Sequence, residues 1–341
     1  MQNHESAPRR APLWRTLLID LLLTLLILGL FLFFKIGLPA IQARSKPSEP
    51  DWAPIEARTS DEPEPTEELA AEPTPDLRSP WQIRFAEFFT DEPVMTENSY
   101  SSPCTSIQLT SFERDYEDHK AVVHVADIHI AFPEQFYTYV ADNDLSYWSV
   151  QPIPEMDAAA HAILSISGDC ITFQEQGLLL RNGSVYLSTY PREDICVLYR
   201  DGRLQSYQRS DYTVDELLAE DPAQIWCFGP ALLDKQGQPI LEFKNLEYID
   251  GKPHPRCAMG YFEPGHYCFV VVDGRREGYS DGVYLGELAT IMAELGCVDA
   301  YNLDGGGTAV MYFNHEPYST QSNGGRREIG DIVVIGEPGF N

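Results

Sequence analysis

The stretch Ala300-Tyr301-Asn302-Leu303-Asp304-Gly305-Gly306-Gly307-Thr308-Ala309-Val310-Met311-Tyr312-Phe313 joins two strand-like apolar runs through one acidic, glycine-rich turn. A single Asp-Gly pair would serve a tight hairpin. Three consecutive glycines exceed that need. They leave backbone N–H groups approachable beside one carboxylate at a strand end, which suits a ligand that touches the main chain closely, such as a phosphate or a sugar.

The neighbouring segments read as strands, turns and one clear helix. Leu285, Leu288, Ala289, Met292 and Leu295 share a face at helical spacing, which predicts a helix over Val283 to Leu295. Ser280 and Asp281 offer caps and Gly296 a stop. Glu287 sits near the start of this helix, off the apolar stripe, where the helix dipole favours a carboxylate. Tyr267 to Val272 is a continuous apolar strand ending in Asp273-Gly274-Arg275, and Ala121 to Ile130 is β-branched and partly alternating. His119, His124 and His129 lie five apart, a spacing that alternates faces on a strand and argues against a shared metal. Ala158 to Ile166 reads as a buried strand or a short helix, followed by Ser167-Gly168-Asp169-Cys170. A hairpin is expected around Asp201-Gly202 and a short helix over Thr213 to Ala219, capped by Asp211 or Thr213. Such a pattern lacks a regular strand–helix alternation. It predicts an α+β fold: a mixed, mainly antiparallel sheet with a few covering helices.

Composition narrows the function. The chain has 341 residues, 43% of them hydrophobic, and its 52 acidic against 24 basic residues give a net charge of −28. A sizeable core is within reach. Nucleic acid is not an expected partner, since its phosphates need a basic surface, and an anionic substrate would need a local basic site. The seven cysteines, Cys104, Cys170, Cys196, Cys227, Cys257, Cys268 and Cys297, form no Cys-x-x-Cys pair. They read mainly as buried thiols.

The N-terminal part differs. Thr16 to Phe34 is apolar for about 19 residues, long enough to span a bilayer, with Arg9, Arg10 and Arg15 before it and Lys35, Arg44 and Lys46 after it. No clean cleavage site follows. The expected order is therefore a cytoplasmic tail (1–15), a transmembrane signal anchor (16–38), a Pro/Glu-rich disordered linker (39–80) and an extracytoplasmic domain (81–341). Asp61-Glu62-Pro63-Glu64-Pro65-Thr66-Glu67-Glu68 typifies the linker, too poor in large apolar residues to fold. No protein partner is identifiable from the chain.

Chemistry-bearing residues gather in the last third. Arg256 follows a rigid His254-Pro255 turn, and Asn323-Gly324-Gly325-Arg326-Arg327 precedes a final strand from Ile329 to Ile335. An arginine beside bare N–H groups suits a phosphate, and paired carboxylates suit glycoside chemistry. Eight segments in one order carry a resemblance. They are Val125-Ala126-Asp127-Ile128; Ser165-Ile166-Ser167-Gly168-Asp169; Gly177-Leu178 through Arg181-Asn182-Gly183; Phe228-Gly229-Pro230-Ala231-Leu232; Pro255-Arg256; His266-Tyr267 through Arg275; Tyr279-Ser280 to Glu287-Leu288-Ala289; and Asn302-Leu303-Asp304-Gly305-Gly306-Gly307. Over roughly residues 98 to 336 the chain resembles the phosphodiester glycosidase family in its bacterial, exopolysaccharide-related branch. Animal members remove N-acetylglucosamine from a mannose phosphodiester. Ser167, Cys170 and Thr308 depart from the family's usual asparagine, aromatic and serine, and the family's proline-serine motif is poorly kept around Tyr318 to Asn323.

The resemblance implies a hydrolase that cleaves the glycosidic bond of a sugar-1-phosphodiester in cell-surface or exopolysaccharide glycans. It implies Asp304 and Glu287 as catalytic carboxylates, with Asp273 and Asp169 next in a structural or cation-binding role. Arg256, Arg275, Arg327, Asn302, Gly305, Gly306, Gly307 and Thr308 are the expected substrate- and phosphate-binding positions. A divalent cation, Ca2+ or Mg2+, bridging carboxylates and phosphate is a further expectation. The alternative is a catalytically inactive module that binds glycan or wall polymer during envelope polysaccharide assembly.

Overall fold

The computed structural model describes residues 78–143, 149–169, 177–188, 194–208, 210–244, 246–322 and 327–339. The expected tail, anchor and nearly all of the linker lie outside them, as do Cys170 and Arg326. Among the described residues no helix is long and apolar enough to cross a membrane.

The central sheet has seven strands in the order β1 (Val94–Met95), β2 (Ser99–Ser101), β3 (Thr105–Asp115), β4 (Lys120–Ile130), β14 (His266–Val272), β13 (Arg256–Glu263), β15 (Asp299–Leu303). A second sheet orders β11 (Leu204–Tyr207), β10 (Ile195–Tyr199), β12 (Pro222–Trp226), β8 (Leu178–Arg181), β9 (Ser184–Ser188). A third orders β17 (Glu316–Pro317), β16 (Met311–Phe313), β7 (Leu164–Ser167), β19 (Asp331–Ile335), β5 (Phe136–Val140). A ribbon pairs β18 (Glu328–Ile329) with β6 (Gln151–Pro152). Each described pairing is antiparallel, so the sheet expected as mixed is not mixed among these residues. Short turns can close antiparallel pairs, which is why glycine and Asp-Gly signals are dense along the chain.

Strand period two assigns the two faces of the central sheet. Ala126, Ile128, Tyr267, Phe269 and Val271 face the other two sheets, meeting Phe136, Ile166, Trp226, Met311 and Val333. Val123, Val125, Cys268, Val270 and Val272 face the helix Leu285–Glu294 through its Leu285, Leu288, Ala289 and Met292. Both faces of β4 are thus covered, and its sequence alternates only in part. The architecture is α+β: antiparallel sheets with a few helices.

Local readings held with instructive exceptions. The hairpin β10–β11 and the helix Val214–Ala219, capped by Thr213, form as the sequence predicts. Ala158 to Ile166 contains the end of one helix, Ile153–Ala159, and most of β7. The long helix starts at Leu285, and neither Ser280 nor Asp281 caps it. Ser280 Oγ donates to the Asp273 carbonyl, and Asp281 accepts the Lys120 N–H. The Glu287 carboxylate takes over the capping, accepting the Tyr284 N–H at 2.9 Å. Gly296, at φ +91°, ends the helix. Of the described cysteines, Cys196, Cys227, Cys257, Cys268 and Cys297 are buried and Cys104 is partly so.

Candidate active site

The start of β13 and the ends of β14 and β15 lie together, because Arg256 pairs with Val272 and Cys257 with Leu303. A cavity of about 180 Å³ opens there. Its lining includes Phe228, Ile249, His254, Arg256, Arg275, Asn302, Asp304, Gly305, Gly306 and Arg327. A larger groove, about 640 Å³ beside β11, is lined by Arg203, Tyr261, Lys235 and Asp299 and holds none of the expected site residues.

The glycine turn is shaped by close approach. A Cβ on Gly305 would lie 2.8 Å from the Pro255 carbonyl oxygen. Gly306 has φ +65°, and a Cβ there would lie 2.8 Å from Arg275 Nη2. The Gly306 N–H is not bare, since it donates to the Pro255 carbonyl at 2.8 Å. Gly305 and Gly307 make no such N–H bond among the described residues. The turn is therefore anchored through its middle residue; Gly305 and Gly306 line the cavity, the Gly305 N–H also favours the charged form of Asp304, and Gly307 is buried.

Asp304 is 8% exposed. Its own N–H is tied to the Gly168 carbonyl at 2.9 Å, and its Oδ2 lies 2.9 Å from Thr308 Oγ1. Burial pushes its carboxyl up to about 6 against the opposing pull of the Thr308 hydroxyl and the Arg327 charge; the nearby Asp169 adds to the rise. Three guanidinium groups line the same cavity, and they differ. Arg256 is buried, donating Nε to the Val283 carbonyl and Nη2 to the Ile249 carbonyl and Asp250, so much of it is committed to the wall. Burial lowers it to about 10, still charged at neutral pH. Arg275 is exposed, with its backbone in the left-handed region at φ +56°, the kind of strain that collects at functional turns. Arg327 is exposed as well.

His254 enters the site unforeseen, quoted in the sequence only as a neighbour of Arg256. A backbone bridge to Val283 fixes it, at 3.1 and 3.0 Å. Its Nδ1 lies 3.1 Å from Arg275 Nη2. An arginine only donates, so Nδ1 accepts and the ring is neutral with its proton on Nε2. Burial and the charges of Arg256, Arg275 and Lys252 hold it in that form, its pKa pushed down to about 4.

The other three carboxylates do not line the cavity. Asp169 accepts Arg181 Nη2 at 3.0 Å and the N–H groups of Cys227 and Phe228 at 2.8 and 3.1 Å. Asp273 accepts Tyr279 Oη and the Thr320 N–H and lies 3.0 Å from His124 Nε2. Glu287, besides its capping bond, lies 3.0 Å from His119 Nε2. Two of the five-spaced histidines thus each meet a carboxylate instead of a common metal. Asn302 Nδ2 donates to the Gly229 carbonyl at 2.7 Å, while its Oδ1 is buried without a partner among the described residues. Among the described residues the site holds one carboxylate and three guanidinium groups, a donor set that does not suit Ca2+ or Mg2+.

Comparisons with known proteins bear on the same region. A profile of the phosphodiester glycosidase family matches residues 160–336, more than half of the 341-residue chain. The SPbeta prophage-derived uncharacterized protein YomE of Bacillus subtilis (strain 168) is 25% identical over 166 residues. That match covers 48% of this chain and 26% of the relative, so the chain spans about a quarter of that protein's length. Among solved structures, the zebrafish N-acetylglucosamine-1-phosphodiester alpha-N-acetylglucosaminidase catalytic domain, auto-inhibited by its pro-peptide, aligns with a TM-score of 0.57 at 18% identity. The alignment covers 69% of this chain and 84% of that one, and the likeness is one of fold.

Proposed function

Because the chain belongs to the phosphodiester glycosidase family, we propose that its folded unit hydrolyses the glycosidic bond of a sugar-1-phosphodiester. The observation that carries this reading is the cavity itself: a buried carboxylate, Asp304, shares it with Arg256, Arg275, Arg327 and the glycine turn. As the C1–O bond breaks, its electron pair leaves on the phosphate oxygen and C1 becomes oxocarbenium-like. Ionised Asp304 stabilises or attacks that centre. Arg275 and Arg327, with Arg256 Nη1, which has no hydrogen bond among the described residues, and the N–H of Gly305, stabilise the departing phosphate monoester. The Nε2–H of His254 adds a neutral donor on the same wall. A water oxygen then bonds C1, and its proton goes to the phosphate or to solvent. A phosphate monoester is a weak base and needs little protonation to leave, so one carboxylate suffices where ordinary glycosidases use two.

Asp169, Asp273 and Glu287 act in this reading as supports, and no step runs through a metal ion. We place the unit outside the membrane, carried on an anchor at 16–38 and a tether at 39–80, acting on cell-surface or exopolysaccharide glycans. The apolar run and the acidic, proline-rich segment support that placement.

The test is to incubate the full chain with a sugar-1-phosphodiester and follow free reducing sugar. Release that disappears in Asp304→Asn supports the proposal; undiminished release in that variant removes Asp304 from the chemistry. The observation that Asp304 alone of four carboxylates reaches the cavity also favours a second reading, a glycan-binding module without turnover. Binding of the diester with no release would support it.

A further inference from the structure

At the other end of β14, away from Asp273, three metal-ligating side chains converge. Asp127 and His129 alternate on β4 and so share a face, and His266 stands directly opposite His129 in the antiparallel register. One ligand atom from each lies within 4.8 Å of the others, with His266 Nε2 and Asp127 Oδ1 at 2.7 Å. His129 is 3% exposed, yet neither of its ring nitrogens has a hydrogen bond among the described residues. Its ring nitrogens are therefore open to a ligand.

The geometry points to a Zn2+-type site formed by Asp127, His129 and His266, remote from the Asp304 cavity. Two imidazoles and one carboxylate suit a borderline cation better than Ca2+ or Mg2+, and a water completes four-coordination. The rings now stack, His129 on His266 at 4.1 Å and 19°. Their in-plane lone pairs cannot meet on one ion in that arrangement. His266 is the ring that would turn on binding: its side chain is 22% exposed, at the strand's first residue, after Gly265 at φ +89°. His129 is held by Phe88 on its other face, at 3.9 Å and 10°. Binding would therefore unstack His266 from Phe262, which it now covers at 4.1 Å. Because Phe85 and Phe88 cover the same cluster, the ion would sit where the chain enters the folded unit and would pin that entry to the sheet.

The experiment titrates ZnCl2 into the chelator-treated full chain by calorimetry and records the visible spectrum after Co2+ loading. The expected result is one Zn2+ per chain and a tetrahedral Co2+ spectrum. Asp127→Asn, which keeps the side chain's shape, and His266→Ala, at a partly exposed position, should each weaken binding by at least about tenfold. His315→Ala, at an exposed histidine elsewhere, should leave it unchanged. Absence of stoichiometric binding, or binding indifferent to Asp127→Asn and His266→Ala, overturns the proposal; the latter means an adventitious ion only. Activity plays no part in either readout.

Discussion

Asp169 and Asp304 invite comparison. Each follows the end of a strand, each is buried, and the Asp304 N–H is bonded to Gly168, the residue before Asp169. Their surroundings differ in one respect. Asp169 is fully engaged by Arg181 and two backbone N–H groups. Arg181 also holds Asp331, with Nε at 2.9 Å from its Oδ2, and knits β7, β8, β12 and β19 together. Asp304 meets the Thr308 hydroxyl and the Gly305 N–H, feels the Arg327 charge, and borders a cavity. A carboxylate whose lone pairs are all answered stabilises a fold, whereas one left short of partners at a cavity keeps its reactivity. Both follow a short apolar strand in the sequence, and in the fold their partners separate them.

The largest expected effects would break this contrast if it were false. Asp304→Asn should lower kcat/KM by at least about 10³-fold. The same change should raise stability in urea by roughly 1–3 kcal/mol at neutral pH, because it removes a buried charge whose carboxyl is raised to about 6. Asp169→Asn should do the reverse to the fold, costing about 3–5 kcal/mol in the same urea titration, because it leaves the buried Arg181 short of a partner.

Smaller effects sharpen it. Arg275→Ala should cut kcat/KM by roughly 10–100-fold, the range for a charged hydrogen bond, read from initial rates. The pH–rate profile should rise with pH through about 6, since the chemistry needs Asp304 ionised and its carboxyl is raised to that value. The sign for stability is opposite: between the unfolded value of 3.8 and about 6 the native state holds the extra proton, so this group's contribution falls as pH climbs. Thr308→Val removes a hydroxyl that favours the charged form, and should move the kinetic limb upward by roughly half a unit. Last, Glu287→Ala should lower stability by about 1 kcal/mol, the worth of a helix cap, and change kcat less than tenfold.

Much of this arrangement was legible in the chain. The apolar stripe of Leu285, Leu288, Ala289 and Met292, the Asp201-Gly202 hairpin and the run from Tyr267 to Val272 are local signals, and local signals set local structure. The Asp304 turn was legible for the same reason, because three glycines mark close approach by themselves. The roles of the other carboxylates were not. The family resemblance makes Glu287 one of two catalytic groups, yet in the fold it caps its helix and meets His119, 168 residues away. Asp273 is answered by His124 and Thr320, 149 and 47 residues distant. His254 reached the cavity through a bridge to Val283 that no short window contains. Satisfaction of a polar group is a property of long-range pairing, and a strand carries no local mark of which distant partner will answer it.

The account rests on cleavage at the sugar side of the diester, with Asp304 facing C1 and the arginine wall facing phosphate. Hydrolysis in water enriched in oxygen-18 tests it directly. Mass spectrometry should find the label in the released sugar and none in the phosphate monoester. Label in the phosphate would mean attack at phosphorus and would contradict the account.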